Sequence, residues 1–348
     1  MTTDRTFDFH PSRPAALLAT LPAVLGFVPE RSLVLATFDD GHVGCVMRVD
    51  LSDDLSDPLD QMVEVAAVGG SAAAVAVIVD EDGAACRMCV DDHRWWALVL
   101  DEMLTARGVD LLATYVVDRL EAGGQWHRAD GAGDSGMVDD PMSSPMAAAA
   151  VLDGRRLYAR RTEVQAVVEV DPVRAESLRM SLLDAEHDGE LRPDADARRD
   201  VEQALAVARG LSEGMLPADE DLAAVGCAIT DTRVRDTLYA LAVGREADRA
   251  EALWAMMARS LPNPWRVEAL VLLAFSAYAR GDGPLAGVSL EAALNCDANH
   301  RMAVMLDQAL QSGMRPEQIR DLAQTGYRLA KRLGVRLPPR QDVDKRAG

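Results

Sequence analysis

Apolar positions in the first half of the chain recur at two spacings, and the switches between them lay out the elements. Leu17, Leu18 and Leu21 give one apolar side to a helix that Ser12 can cap and Pro14 can open. Gly26 to Pro29 reads as a turn, because glycine tolerates positive φ and proline fixes the angle ahead of an extended segment. Ser32 to Phe38 and Val43 to Val49 are β-branched or apolar runs parted by Asp39, Asp40 and Gly41, which predicts a hairpin. Asp57 and Pro58 open a second helix with Leu59, Met62, Val63 and Ala66 at helical spacing, closed by Gly69 and Gly70. Ala73 to Val79 is continuously apolar and predicts a central strand covered on both faces. An Asp82-Gly83 turn then leads into Ala84 to Val90, read as a short strand. Asp92 caps a helix with Trp96, Val99, Leu100 and Met103 as its stripe, and Leu111 to Val117 returns as a strand. Strand, helix, strand predicts a right-handed crossover within an α/β sheet.

Beyond this the pattern loosens and then changes period. Gly123 to Met146 is dominated by Gly, Asp, Ser and Pro; it reads as a flexible solvated loop, with Trp126 and His127 as a last edge strand. Ala147 to Val151 begins a helix closing at Gly154. From Pro172 onward the spacing is helical almost throughout, with a hinge at His187 to Gly189 and Pro193. Ala250, Leu253, Trp254, Met257 and Leu261 form one stripe, and Val267, Leu270, Val271, Ala274 and Tyr278 the next. Met302, Met305, Leu306 and Ala309 make another, and Ile319, Leu322, Ala323, Ala330 and Leu333 mark a final helix. Asn263 with Pro264 reads as cap and first-turn proline, and Gly281 as a stop before Leu285 to Asn295 packs back as a helical hairpin. That hairpin resembles a degenerate tetratricopeptide repeat, with Leu270, Ala277 and Ala298 standing where the repeat has Trp, Tyr and Pro. The expected organisation is an α/β domain with a mixed sheet and helices over residues 1–170, an all-α helical-hairpin domain over 171–336, and a disordered tail over 337–348.

Composition narrows the chemistry. A formal charge of −20 over 348 residues argues against an electrostatic nucleic-acid binder and against anionic membrane surfaces. Lysine occurs only at Lys331 and Lys345, so there is no Walker-A lysine, no kinase-type strand lysine and no lysine placed for a Schiff base. With five scattered cysteines, no charged-then-apolar leader and no apolar run of membrane-spanning length, the expected location is the cytoplasm. Cys86-Arg87-Met88-Cys89 invites a metal or redox reading, but zinc lacks two further ligands nearby. On the expected strand the two sulfurs would also point to opposite faces, so these read as ordinary free cysteines. Asp130, Asp134, Asp139 and Asp140 could gather a hard cation, though their spacing is not that of a calcium loop. No metal and no cofactor is expected.

The chemistry that stands out is in Leu21 to Asp50. The two-residue period of the second hairpin strand puts Arg48 and Asp50 on one face, close to Glu30 and Arg31 at the start of the neighbouring strand. These four residues are the ligand-binding candidates, as charged groups that could grip a ligand; the plainer reading, which is preferred, is an ion-pair network that holds the turn. No catalytic residues are assigned. Leu25-Gly26-Phe27, Pro29, Ser32-Leu33-Val34, and Arg48 with Asp50-Leu51 resemble the opening of the actinobacterial family called domain of unknown function 4192. Ser144-Pro145, the alanines before Gly154, and Arg161 with Glu163 extend the resemblance through most of the chain. The resemblance implies a fold and no activity.

None of the six histidines lies in an H-x-H or H-E-x-x-H arrangement, and there is no G-x-S-x-G elbow or Gly-rich phosphate loop. The leading expectation is therefore a non-catalytic cytoplasmic protein-interaction or assembly module, with a protein partner or homo-oligomer and neither nucleic acid nor membrane. The alternative is a small-molecule-binding protein or hydrolase-like enzyme using the hairpin residues.

Overall fold

The computed structural model describes residues 13–39, 42–52, 55–86, 88–152, 156–185 and 192–341. The chain divides into two compact units, one of residues 1–163 with 311–313 and one of residues 164–310 with 314–348. The first holds a mixed six-stranded sheet with helices and the second is helical.

In the first unit, helix α1 (Pro14–Leu25) starts with proline in its first turn and stops at Gly26, whose φ of 74° is the left-handed cap that glycine adopts freely. Strands β1 (Ser32–Asp39) and β2 (His42–Asp50) pair antiparallel in the register Ser32 to Asp50 and Val34 to Arg48. The expected Asp40-Gly41 tip lies outside the described residues, as does Ser12. Helix α2 (Ser56–Val68) buries Leu59, Met62, Val63 and Ala66, the stripe read from the sequence. Strand β3 (Ala73–Val79) pairs antiparallel with β1. Helix α3 (Cys89–Thr105) then carries the chain to β4 (Asp110–Val117), which runs parallel to β3. Beyond it come β5 (Gln125–Arg128) and β6 (Ser135–Met137), both antiparallel to the strand before, giving the order β2-β1-β3-β4-β5-β6.

Two expectations fail here. Ala84 to Val90 is a turn and the first residues of α3, because Asp80 accepts the Gly83 N–H at 3.0 Å and the Ala84 and Val90 amides donate to the carbonyls four residues back. The acidic stretch after Gly123 is more structured than a flexible loop. β5 is an inner strand, with Trp126 Nε1 donating to the Met137 carbonyl of β6 at 3.2 Å, and Asp140 caps a 3-10 turn at Pro141–Ser143.

Leu33, Leu35, Ala74, Ala76, Ile78 and Val116 share one sheet face with Leu59, Met62 and Val63 of α2 and Leu100 and Leu104 of α3 in a single core. On the opposite face Val34, Ala36, Val75, Val77 and Val117 are just as inaccessible. The unit closes with α4 (Pro145–Leu152), packed on α1, and α5 (Arg161–Ala166), across which the division into units falls. The helical unit starts ahead of the expected residue 171 because its own helices hold the intervening chain: Arg266 donates to the Val168 carbonyl at 2.6 Å and Asp171 N–H to that of Arg259 at 2.8 Å.

The second unit runs through α6 (Pro172–Ala185), α7 (Asp194–Ser212), α8 (Asp219–Ala228), α9 (Thr232–Leu238), α10 (Ala247–Ser260), α11 (Trp265–Arg280), α12 (Gly283–Cys296), α13 (Arg301–Gln311) and α14 (Pro316–Leu333). The stripes of α10 and α11 are buried as read, with α11 enclosed on nearly every side. Met305 and Leu322 stand exposed, and Pro264 rather than Asn263 takes the cap position of α11. The hinge at 187–189 lies outside the described residues. Residues 337–341, expected in the tail, are held in place: Tyr327 donates its hydroxyl to the Pro338 carbonyl, and backbone bonds join Arg245 to Pro339 and Gln341 to Val243.

Gly326 lets α14 approach the Tyr239–Val243 turn so closely that an added Cβ would sit 2.8 Å from Ala240 Cβ and from the Thr237 carbonyl. Gly326→Ala is therefore expected to lower stability by about 1–3 kcal/mol through overpacking, read as a lower denaturation midpoint of the full chain.

Candidate functional site

The residues flanking the hairpin form a network built from the backbone outward. After Gly26 the chain bridges from Phe27 to Tyr158 and turns through Pro29 and Glu30 into β1. Arg31 has a φ of 41°, the only positive value at a non-glycine among the described residues, and its carbonyl accepts the Leu51 N–H at 2.8 Å. This strained turn locks the entry of β1 to the exit of β2. Ser32 Oγ donates to the Glu30 carbonyl at 2.6 Å and accepts from Arg48 Nε at 2.7 Å. Arg48 Nη2 donates to the Glu30 carbonyl at 3.3 Å and to Asp50 Oδ1, while its guanidinium lies 5.9 Å from the Phe27 ring centre. Asp50 Oδ2 also meets Arg161 at 3.5 Å, and Glu30 pairs with Arg160 at 3.3 Å.

Of the four sequence candidates, the fold brings together Glu30, Arg48 and Asp50. Arg48, with a side chain only 11% exposed, is a strut between two strand ends. Arg31 is exposed, and its side chain has no ion-pair or hydrogen-bond partner among the described residues. Arg160 and Arg161 are also members of the network, and Arg161, named with Glu163 in the family resemblance, was the available signal.

A second cluster went unread. Ser32 pairs with Asp50 on one side and with Val79 on the other, and Val79 pairs with Val117. The hairpin network and the residues just past β3 and β4 therefore lie along one sheet edge, the carboxyl end of the parallel pair, where ligands bind in open α/β sheets. There Asp80 Oδ2 sits 3.1 Å from His93 Nε2. His93 is 5% exposed and its Nδ1 has no partner among the described residues. On β5, burial and the neighbouring His93 hold the His127 imidazole below its ordinary pKa. His93 thus packs against Asp80, while Trp95 is exposed, edge-on to Trp96 at 4.5 Å. The acidic quartet does not assemble: Asp130 pairs with Arg128, and Asp140 caps its own turn. Among the described residues no group of three or more His, Cys, Asp or Glu could hold a metal ion.

A mixed α/β sheet followed by a helical unit, with a turn held by arginine at one sheet edge, defines a two-unit protein whose polar side chains at that edge mostly satisfy one another. A family profile described as domain of unknown function (DUF4192) matches residues 14–317, and the chain belongs to that family. No curated protein and no solved structure matches it.

Arg48→Ala removes bonds to Ser32, Glu30 and Asp50 at once and is expected to cost about 2 kcal/mol, whereas Arg31→Ala should leave the unfolding free energy within about 1 kcal/mol of the parent. Chemical denaturation of both variants checks this. His127 imposes a pH dependence of known sign: with its folded pKa below the ordinary 6.5, protons bind the unfolded chain preferentially, so stability falls as pH drops below 6.5. His127→Gln should flatten that acid limb in denaturation midpoints measured between neutral and acid pH.

Proposed function

We propose that the protein is a non-catalytic interaction or assembly module of the actinobacterial cytoplasm whose ligand is another protein or a second copy of the chain. The observation that carries this is the outer face of α3, where Trp95 is 54% and Leu98 63% exposed, one turn apart. A large aromatic beside a large aliphatic in water is costly for a free surface and ordinary for the centre of a protein interface. In the helical unit, Val173, Met180 and Leu183 of α6 are similarly exposed. The charge of −20 favours a basic partner over nucleic acid, and a helical hairpin such as α11–α12 is a form often used for protein contacts.

One observation favours a second reading, a small anionic ligand at the hairpin edge. Arg31 combines a strained backbone with a guanidinium unpaired among the described residues, and strain of this sort is retained where a site needs it.

Native mass spectrometry of the full chain separates the two. The interaction reading expects a defined homo-oligomer or stoichiometric protein complex, weakened at least about tenfold by Trp95→Ala with Leu98→Ala. A monomer carrying a small mass that Arg31→Ala abolishes would replace it with the second reading.

A further inference from the structure

Cys86 and Cys89 have a geometry that their expected strand would have denied them. Cys89 is the first residue of α3, and Cys86 ends the turn before it, its carbonyl already accepting the Val90 N–H at 3.2 Å. Cys89 reaches the Cys86 sulfur with both its backbone N–H and its thiol, so the two side chains lie on one side of the chain with their sulfurs facing each other, within reach of a disulfide after modest adjustment. Both cysteines are free and half-buried, so reagents in solution can reach them. The turn is rigidly specified upstream: Asp80 Oδ1 accepts the Gly83 N–H, and a Cβ at Gly83 would stand 1.9 Å from Asp80 Oδ2.

We infer that Cys86 and Cys89 are a redox-active dithiol, closing to a disulfide by exchange with a low-molecular-weight disulfide and reopening by exchange with a thiol. The two sulfurs are not equivalent. The Cys89 backbone N–H, the Cys89 thiol and the Met88 N–H all draw the Cys86 thiol below its ordinary pKa, outweighing its slight burial and the charge of Asp80. Cys89, donating its thiol to Cys86 and then burdened by burial and nearby charge, is pushed up. Cys86 is the attacking sulfur and Cys89 the resolving one.

Cys86 thiolate attacks one sulfur of a disulfide RSSR, forming Cys86–S–S–R and expelling RS⁻, which takes up the proton that Cys86 gave to solvent. Cys89, once deprotonated, attacks Cys86 Sγ, breaks the mixed disulfide and releases the second RS⁻, which takes the other proton. Two protein thiols are oxidised and RSSR is reduced to two RSH.

The test equilibrates the full chain in oxidised and reduced glutathione, quenches with a thiol alkylator and digests with trypsin, whose cut after Arg87 places Cys86 and Cys89 on different peptides. The expected result is a disulfide-linked peptide pair whose fraction follows the glutathione ratio, with alkylation of Cys86 on the order of tenfold faster than that of Cys45, whose thiol burial pushes up. Cys89→Ser should accumulate glutathione on Cys86, and Cys86→Ser should not accumulate it on Cys89. Two free thiols at every ratio, or a stable glutathione adduct on the unsubstituted chain, would overturn the inference.

Discussion

Strands β1 and β3 are buried on both faces along nearly their whole length, and that requirement governs the rest of the first unit. A strand with no wet face must be paired on both edges and covered on both sides, so β2 and β4 flank the pair while α2 and α3 close one surface. Charged groups are thereby driven to where strands begin and end. The Glu30–Arg48–Asp50 network and the Asp80–His93 pair sit along one edge for this reason, as the nearest places where the backbone leaves the apolar layer.

The two units treat arginine alike. In the sheet unit Arg48 ties strand ends together; in the helical unit Arg235 Nη1 reaches both carboxylate oxygens of Glu268, at 3.1 and 3.2 Å, and His300 approaches the same group at 3.3 Å. Arg280 likewise joins Glu251 and Asp282. A planar guanidinium can serve several acceptors at once, which a lysine ammonium does with less geometric control. The chain has only two lysines, so this work falls to arginine throughout.

Elements whose burial follows a simple period were legible in the sequence. Ala73 to Val79, the α2 stripe and the α10 and α11 stripes are where hydrophobicity alone predicts them. Ala84 to Val90 misled because a hydrogen bond from Gly83 to Asp80, not side-chain hydrophobicity, decides its conformation. β6 was missed because its Ser-Gly-Met sequence has no strand character of its own and is extended by pairing with β5. At the site, residues close in sequence or across a hairpin could be grouped, hence Glu30, Arg48 and Asp50. Asp80 with His93, and Asp50 with Arg161, meet only through the sheet and its crossover, and no spacing rule reaches them.

The parallel pairing of β3 with β4 also orders the making of the sheet as the chain is synthesised. β1 and β2 are nearly contiguous and can zip together once both have emerged, whereas β4 must find β3 across the whole of α3. Closing that larger loop before any contact rewards it makes the crossover slower to form than the hairpin. Most helices of the second unit meet a neighbour across a short turn, so the part of the protein made last is built chiefly from the more local contacts.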